Sequence, residues 1–226
     1  MRYTNVSRCR FLERPNRFLA RVEMEGQEVL CHVKNTGRCR ELLNPGAVVY
    51  LQKSDNPNRK TGYDLIAVEK GEMLINMDSQ IPNYVAAEWL RKGSLFPEGA
   101  NIQMEKRYGN SRFDIYAEAG ERKAFLEVKG VTLEVEGQAR FPDAPTERGV
   151  KHVRELMGCV QEGYEAYLLF VIQMTGIQSF APNWDTHPAF GSALQEAARA
   201  GVQILAYDCQ VRPDDIVLDQ PVPVLL

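Results

Sequence analysis

The sequence predicts an α+β chain in two parts, a small β-barrel followed by a mixed sheet covered by helices. Two observations lead there. Short alternating strands crowd the first eighty residues with turn signals between them, and the remainder mixes strands with helix-length amphipathic segments. The expected parts are residues 1–80 and 81–226. With 226 residues, 44% hydrophobic and 25% charged, the chain has the composition of a soluble globular protein.

Five strands are expected in the first part: Phe18 to Met24, Glu28 to Val33, Val48 to Gln52, Tyr63 to Val68 and Met73 to Ile75. Glu25-Gly26, Asn44-Pro45-Gly46, the polar run Asp55 to Lys60 and Lys70-Gly71 supply the breaks. Five strands at this size close into an OB-like barrel. Between the second and third lies Asn35-Thr36-Gly37-Arg38-Cys39-Arg40. Its first three residues can bend the chain and turn amides outward, and a short helix is expected from Arg38 onward, together a candidate phosphate cradle. Arg8, Arg10, Arg14 and Arg17 interleave with Phe11 and Phe18, a mixture that suits single-stranded nucleic acid. The two phenylalanines serve equally well as barrel core.

Ile81 to Lys92 reads as a helix, with Pro82 in its first turn, Val85, Ala86, Trp89 and Leu90 as its apolar stripe, and Gly93 as its stop. Glu88 lies on it. Ile102 to Tyr108 is a strand, and Ser111 to Lys129 is a β-hairpin turning at Gly120-Glu121. That turn sets Ile115 opposite Leu126, Phe113 opposite Val128 and Asp114 opposite Glu127, with Lys129 two residues further along the expected polar face. Phe141 to Thr146 is an extended loop, and Thr146 caps a helix to about Gln161. Arg148, Lys151, His152 and Arg154 occupy its first two turns, where cations oppose the helix dipole unless an anion sits nearby. A buried strand from Ala166 to Gln173, a helix from Pro188 to Ala200, a strand from Gln203 to Tyr207 and an extended tail from Pro221 complete the reading.

Charge is distributed unevenly. Residues 1–60 carry 12 Lys and Arg against 6 Asp and Glu, while residues 111–226 carry 10 against 17. A basic lobe beside an acidic one suits a polyanion on the first and a metal ion on the second. The longest apolar run, Ala166 to Ile172, is too short to span a bilayer, and no secretory signal is evident, so a cytoplasmic protein is expected with no membrane partner. Five cysteines without a CxxC indicate free, mostly buried thiols.

Mg²⁺, or Mn²⁺ in its place, needs oxygen ligands and keeps several waters. Asp114, Glu127 and the Val128 carbonyl are the expected ligands, with Glu88 as a candidate fourth and Lys129 as the cation at the reacting phosphate. The strand triplet, with a helix on either side, resembles the αβββαβ core of the restriction-endonuclease-like PD-(D/E)xK fold, although Phe113 stands where that motif has proline. Over nearly the whole chain, Asn35-Thr36-Gly37-Arg38, Ser111-Arg112-Phe113-Asp114, Glu127-Val128-Lys129-Gly130-Val131-Thr132 and Phe141-Pro142-Asp143-Ala144-Pro145-Thr146 with Arg148, Lys151 and His152 are similar to the signatures of the sugar fermentation stimulation protein family. The resemblance implies an OB-like first domain, a nuclease-like second domain, DNA binding without strong sequence preference, and a part in regulating sugar catabolism. The expected contacts to DNA or RNA are Arg10, Arg14, Arg17, Asn35, Thr36, Arg38, Arg148 and Lys151. Two readings follow: a DNA-binding protein with a nuclease-like metal site, or an active Mg²⁺-dependent nuclease.

Overall fold

The computed structural model describes residues 1–35, 37–109 and 111–226. The first part holds β1 (Val6–Asn16), β2 (Leu19–Met24), β3 (Gln27–Val33), β4 (Val48–Lys53), β5 (Tyr63–Lys70) and β6 (Met73–Asn76). β1 pairs with β2 and β4, β2 with β3, and β4 with β5, while β3 closes on β5 in parallel. Five strands therefore form a closed OB-like ring, which removes exposed edges. Val22, Cys31, Val49, Leu51 and Leu65 fill it, fully buried.

The membership of that ring differs from the expectation. β1 replaces Met73 to Ile75, which form β6, an extra strand on β5. In β1 the inward set is Cys9 and Phe11, and Arg8 and Arg10 point out. The segment is a strand whose outer face happens to be basic. Phe11 is core, whereas Phe18 is 43% exposed beneath the Arg17 guanidinium. The short helix expected from Arg38 is absent. Cys39 takes a left-handed backbone at φ 45°, which a helix cannot continue, and its buried side chain joins the apolar core.

The second part contains α1 (Ile81–Arg91), β7 (Asn101–Tyr108), β8 (Ser111–Ala119), β9 (Arg122–Val131), β10 (Leu133–Val135), β11 (Gln138–Phe141), α2 (Glu147–Gln161), β12 (Glu165–Ile172), β13 (Ser179–Pro182), α3 (Pro188–Arg199), β14 (Gln203–Arg212) and β15 (Asp215–Pro221). The large sheet runs β15-β14-β12-β9-β8-β7, with β9, β12 and β14 parallel and the outer pairs antiparallel. α1, β7, β8, β9, α2 and β12 give the αβββαβ order. The short strands β10, β11 and β13 form a separate small sheet, and these, with β15, escaped the sequence reading.

Helices cover both faces. Ile81, Val85, Ala86 and Leu90 of α1 pack with Ile115, Leu126, Val128 and Leu169. Val150, Val153 and Leu156 of α2 and Phe190 and Leu194 of α3 pack with Phe113, Phe125, Leu168 and Phe170. α2 begins where Thr146 accepts the Gly149 amide through its hydroxyl, a side-chain cap worth about 1 kcal/mol.

The two parts are joined by polar contacts. Asn76 and Gln173 bond through backbone and side chain, and Gln173 also donates to the Asp78 carbonyl. Within the first part, Lys34 reaches Asp78 at 3.0 Å, and Arg59 clasps Asp64 at 2.6 and 2.8 Å. All five cysteines are free and buried. Among the described residues, no helix is long and apolar enough to cross a membrane.

Candidate metal centre

The hairpin keeps the register its turn dictates, with Ile115 opposite Leu126 and Ala117 opposite Ala124. The ladder ends at Ile115 and Leu126, one step before Asp114 would meet Glu127. There Asp114 takes over with its side chain: Oδ2 accepts the Val128 amide at 2.8 Å, and Oδ1 accepts Nδ2 of Asn83 at 2.8 Å. The carboxylate occupies the gap in which a strand carbonyl would otherwise lie.

This changes the expected alternation. Phe113 was expected to share a face with Ile115 and Ala117, opposite Val128. It packs instead with Tyr108, Phe125 and His152, on the α2 side, while Ile115 and Ala117 face α1. Asp114 is drawn toward Asn83 on α1, and Glu127 lies beneath α2, so the polar set does not share one simple face. Both carboxyls lie at the open end of the ladder, and the Glu127 charge acts on Asp114 across it.

Glu127 is 2% exposed. Its Oε1 accepts from Lys129 Nζ at 2.5 Å and from His152 Nδ1 at 2.5 Å. Arg148 Nε donates to the other imidazole nitrogen at 3.3 Å, which leaves the proton on Nδ1, facing Glu127. Oε2 of Glu127 is buried without a hydrogen-bond partner among the described residues. Such an orphan is costly unless something absent from the protein satisfies it.

The two carboxyls are driven apart. Burial and the neighbouring Glu127 charge raise Asp114 above the usual carboxylate range, against the Val128 amide, Lys129 and Asn83. Burial would raise Glu127 too, but His152 and Lys129 outweigh it and hold that group low. Opposed shifts of this kind recur where a site handles cations or protons.

Glu88 does not belong here. It accepts from the terminal ammonium of Met1 and from Lys92, both at 2.9 Å. Five residues along α1 from Asn83, it is rotated to another side of the helix. Among the described residues, no three His, Cys, Asp or Glu side chains form a ready-made metal cluster. Two carboxylates, a carbonyl and waters nevertheless suffice for a hard cation, and the orphaned oxygen of Glu127 fits that role.

The expected nucleic-acid contacts separate into groups. Arg14 spends both terminal nitrogens on the carbonyls of Arg17, Asn35, Gly37 and Arg38, so it straps the loop rather than offering charge to a ligand. Arg10 is exposed and paired with Glu23 at 2.7 Å. Asn35 accepts the Gly37 amide, shaping the loop, and Arg17 and Arg38 are exposed beside it. Thr36 lies outside the described residues. Arg148 and Lys151 are exposed on α2, Lys151 facing Glu155 at 3.6 Å. Asn83 and His152, both touching the carboxylates, were not among the expected ligands. Asn83 had no sequence signal beyond following Pro82 in a first turn, whereas His152 stood among the cations of the first two turns of α2 and in the family's signature.

Models of two families match, the sugar fermentation stimulation protein N-terminal OB domain over residues 12–77 and its RE domain over residues 80–215. The chain is 62% identical over 216 residues to a sugar fermentation stimulation protein homolog of Desulfitobacterium hafniense, covering 96% of this chain and 94% of that one. A homolog from Ruminiclostridium cellulolyticum is 56% identical over the full length of both. Among solved structures, that of Pyrococcus furiosus SfsA in complex with Ca²⁺ superposes with a TM-score of 0.90 at 28% identity, covering 100% of this chain and 98% of that one. With its closed barrel, its αβββαβ core and these relatives, the chain belongs to the sugar fermentation stimulation protein family.

Proposed function

We propose that the protein binds nucleic acid with little sequence preference and holds a divalent cation, Mg²⁺ or Mn²⁺, at the open end of the β8–β9 ladder, as a site for phosphodiester hydrolysis. The observation that carries this reading is Glu127 Oε2, buried without a partner, with the half-buried carboxylate of Asp114 at the same end of the ladder. The Pyrococcus furiosus relative is a complex with Ca²⁺, in keeping with a hard-cation site in this fold.

Asp114 and Glu127 would hold the ion. The Val128 carbonyl would join them, because a strand residue directs its amide and carbonyl to the same side, and the Val128 amide already faces Asp114. When bound, such an ion polarises phosphoryl oxygens and lowers the pKa of water. The residues do the remainder. Asn83 fixes the Asp114 carboxylate, and His152 fixes Glu127 in its ionised form. Lys129, 17% exposed in its side chain, sits on Glu127 as the cation available to charge growing on a phosphate. Arg148 and Lys151 stand on α2 for the flanking backbone, and five unpaired thiols suit a reducing, cytoplasmic setting.

The test incubates pure protein with labelled DNA and RNA, single- and double-stranded, in Mg²⁺, Mn²⁺ or EDTA, alongside Asp114→Asn and Lys129→Met. Metal-dependent products, lost in both variants, are expected. Binding without products on any substrate would leave a cation-holding DNA-binding protein in place of a nuclease, and no binding at all would overturn the reading.

A further inference from the structure

Three depressions run beside the hairpin and share walls. The middle one, about 170 Å³, lies between the two parts of the chain and is lined by Gly37, Ser79, Gly130, Thr132, Arg140 and Asp143. Ser79 also lines a second depression, with Gln80, Asn83 and Tyr84. Gly37 also lines a third, with Arg17, Arg38 and Arg40. Ser79 and Gly37, each shared by two of them, chain the three into a trough from α1 across the junction to the barrel. The candidate metal centre flanks its middle, since Asn83 holds Asp114 and Gly130 follows Lys129.

The chemistry changes along the trough. At one end Tyr84 is 53% exposed and has no aromatic neighbour among the described residues. A large ring kept in water is an open stacking platform. At the other end Arg17, Arg38 and Arg40 are exposed, with Phe18 under the Arg17 guanidinium. The middle cleft is comparable to the cavity of about 150 Å³ that accepts a benzene ring, but its walls are polar. Arg140 uses Nε on Gln138, and its terminal nitrogens have no partner among the described residues. The Asp143 carboxylate likewise has no ion pair or hydrogen bond there. A side chain at Gly130 would meet Gln173 Oε1 at 2.5 Å, so the cleft floor depends on glycine. A donor and an acceptor facing a ring-sized space match the edge of one nucleobase. Bases in a duplex are stacked and paired, and they offer neither a face to Tyr84 nor an edge to the cleft.

We propose that the trough is the track of a single unpaired strand, with one base stacked on Tyr84 and another in the cleft between Arg140 and Asp143. This rests on the nucleic-acid reading above and names its substrate class. The test measures binding by fluorescence anisotropy in EDTA, so that hydrolysis plays no part, using one sequence as single strand and as duplex. The single strand should bind at least tenfold more tightly. Tyr84→Ala should weaken it about tenfold, the low range of one base stack, while Tyr84→Trp should not. A 2-aminopurine moved along the strand should brighten at one position, and Asp143→Leu should abolish that peak. Equal or tighter binding of the duplex, an unaltered Tyr84→Ala, or uniform 2-aminopurine emission would overturn the track while leaving nucleic-acid binding intact. No binding to either form would overturn both.

Discussion

Two places in this molecule set a pair of carboxylates among cations, and they are finished differently. At the barrel junction Asp64 receives Arg59 on both oxygens and His32 on one, and Lys34 lies 3.6 Å away. Asp78 receives Lys34 on one oxygen and the Gln80 amide on the other. Every oxygen there has a partner. At the hairpin, Asp114 is satisfied but raised, Glu127 is held low, and one oxygen is left over. The first cluster is a weld within the barrel and the segment that leaves it. The second leaves Glu127 Oε2 without a partner among the described residues.

The contrast can be broken most directly at the weld. Asp64→Ala strands Arg59, while Lys34 keeps Asp78, and should cost about 3 kcal/mol in urea unfolding, the low end of what halving a buried ion pair costs. Burial opposes the Asp64 charge, but Arg59 and Lys34 prevail and its carboxyl lies below the ordinary range. Its contribution should therefore be complete above about pH 4 and fall as acid carries the pH through that lowered value.

At the hairpin, a divalent ion should raise thermal stability, by the equivalent of about 2.7 kcal/mol at a hundred times its Kd. EDTA should reverse the rise, and Asp114→Asn should abolish it. Because Asp114 must lose its proton to bind a cation, affinity should increase with pH through its raised pKa, as isothermal titration at several pH values would reveal.

Without metal, the same substitution should have the opposite effect from Asp64→Ala. A raised native pKa favours folding below about pH 4, and that advantage is lost as the pH rises through the native value. Asp114→Asn should therefore melt a few degrees above the parent at pH 7 and level with it near pH 4, provided the Asn83 amide turns to accept. The smallest effect belongs to Glu88→Gln. Its carboxylate is 36% exposed, so loss of its pairs with Met1 and Lys92 should cost under about 1 kcal/mol and leave cation binding unchanged.

Much of this was legible in the chain. The Gly120-Glu121 turn fixed the hairpin register, the Pro82 and Thr146 signals began α1 and α2, and the spacing of Asp114, Glu127 and Lys129 brought them to one sheet end. What escaped was tertiary. Arg8-Cys9-Arg10-Phe11 has the alternation of a half-buried strand, but its arginines fit a nucleic-acid contact equally well, and the pattern does not choose between the two. Glu88 and Asn83 are equally polar positions of one helix, and only its packing decides which meets Asp114. Arg14 looked like a ligand contact, yet three of the four carbonyls that consume it come from a loop whose path the sequence does not specify.

The enclosed cysteines carry a practical consequence. Burial lifts the thiols of Cys31, Cys39 and Cys159 to about 12 and that of Cys9 to about 11, and raises Cys209 as well. Almost no thiolate exists in the native protein near neutrality, so alkylating reagents should react only with chains that have opened. Iodoacetamide uptake, followed by mass, would then time the opening of the barrel at Cys9 and Cys31 separately from that of the second part, at Cys159 on α2 and Cys209 on β14.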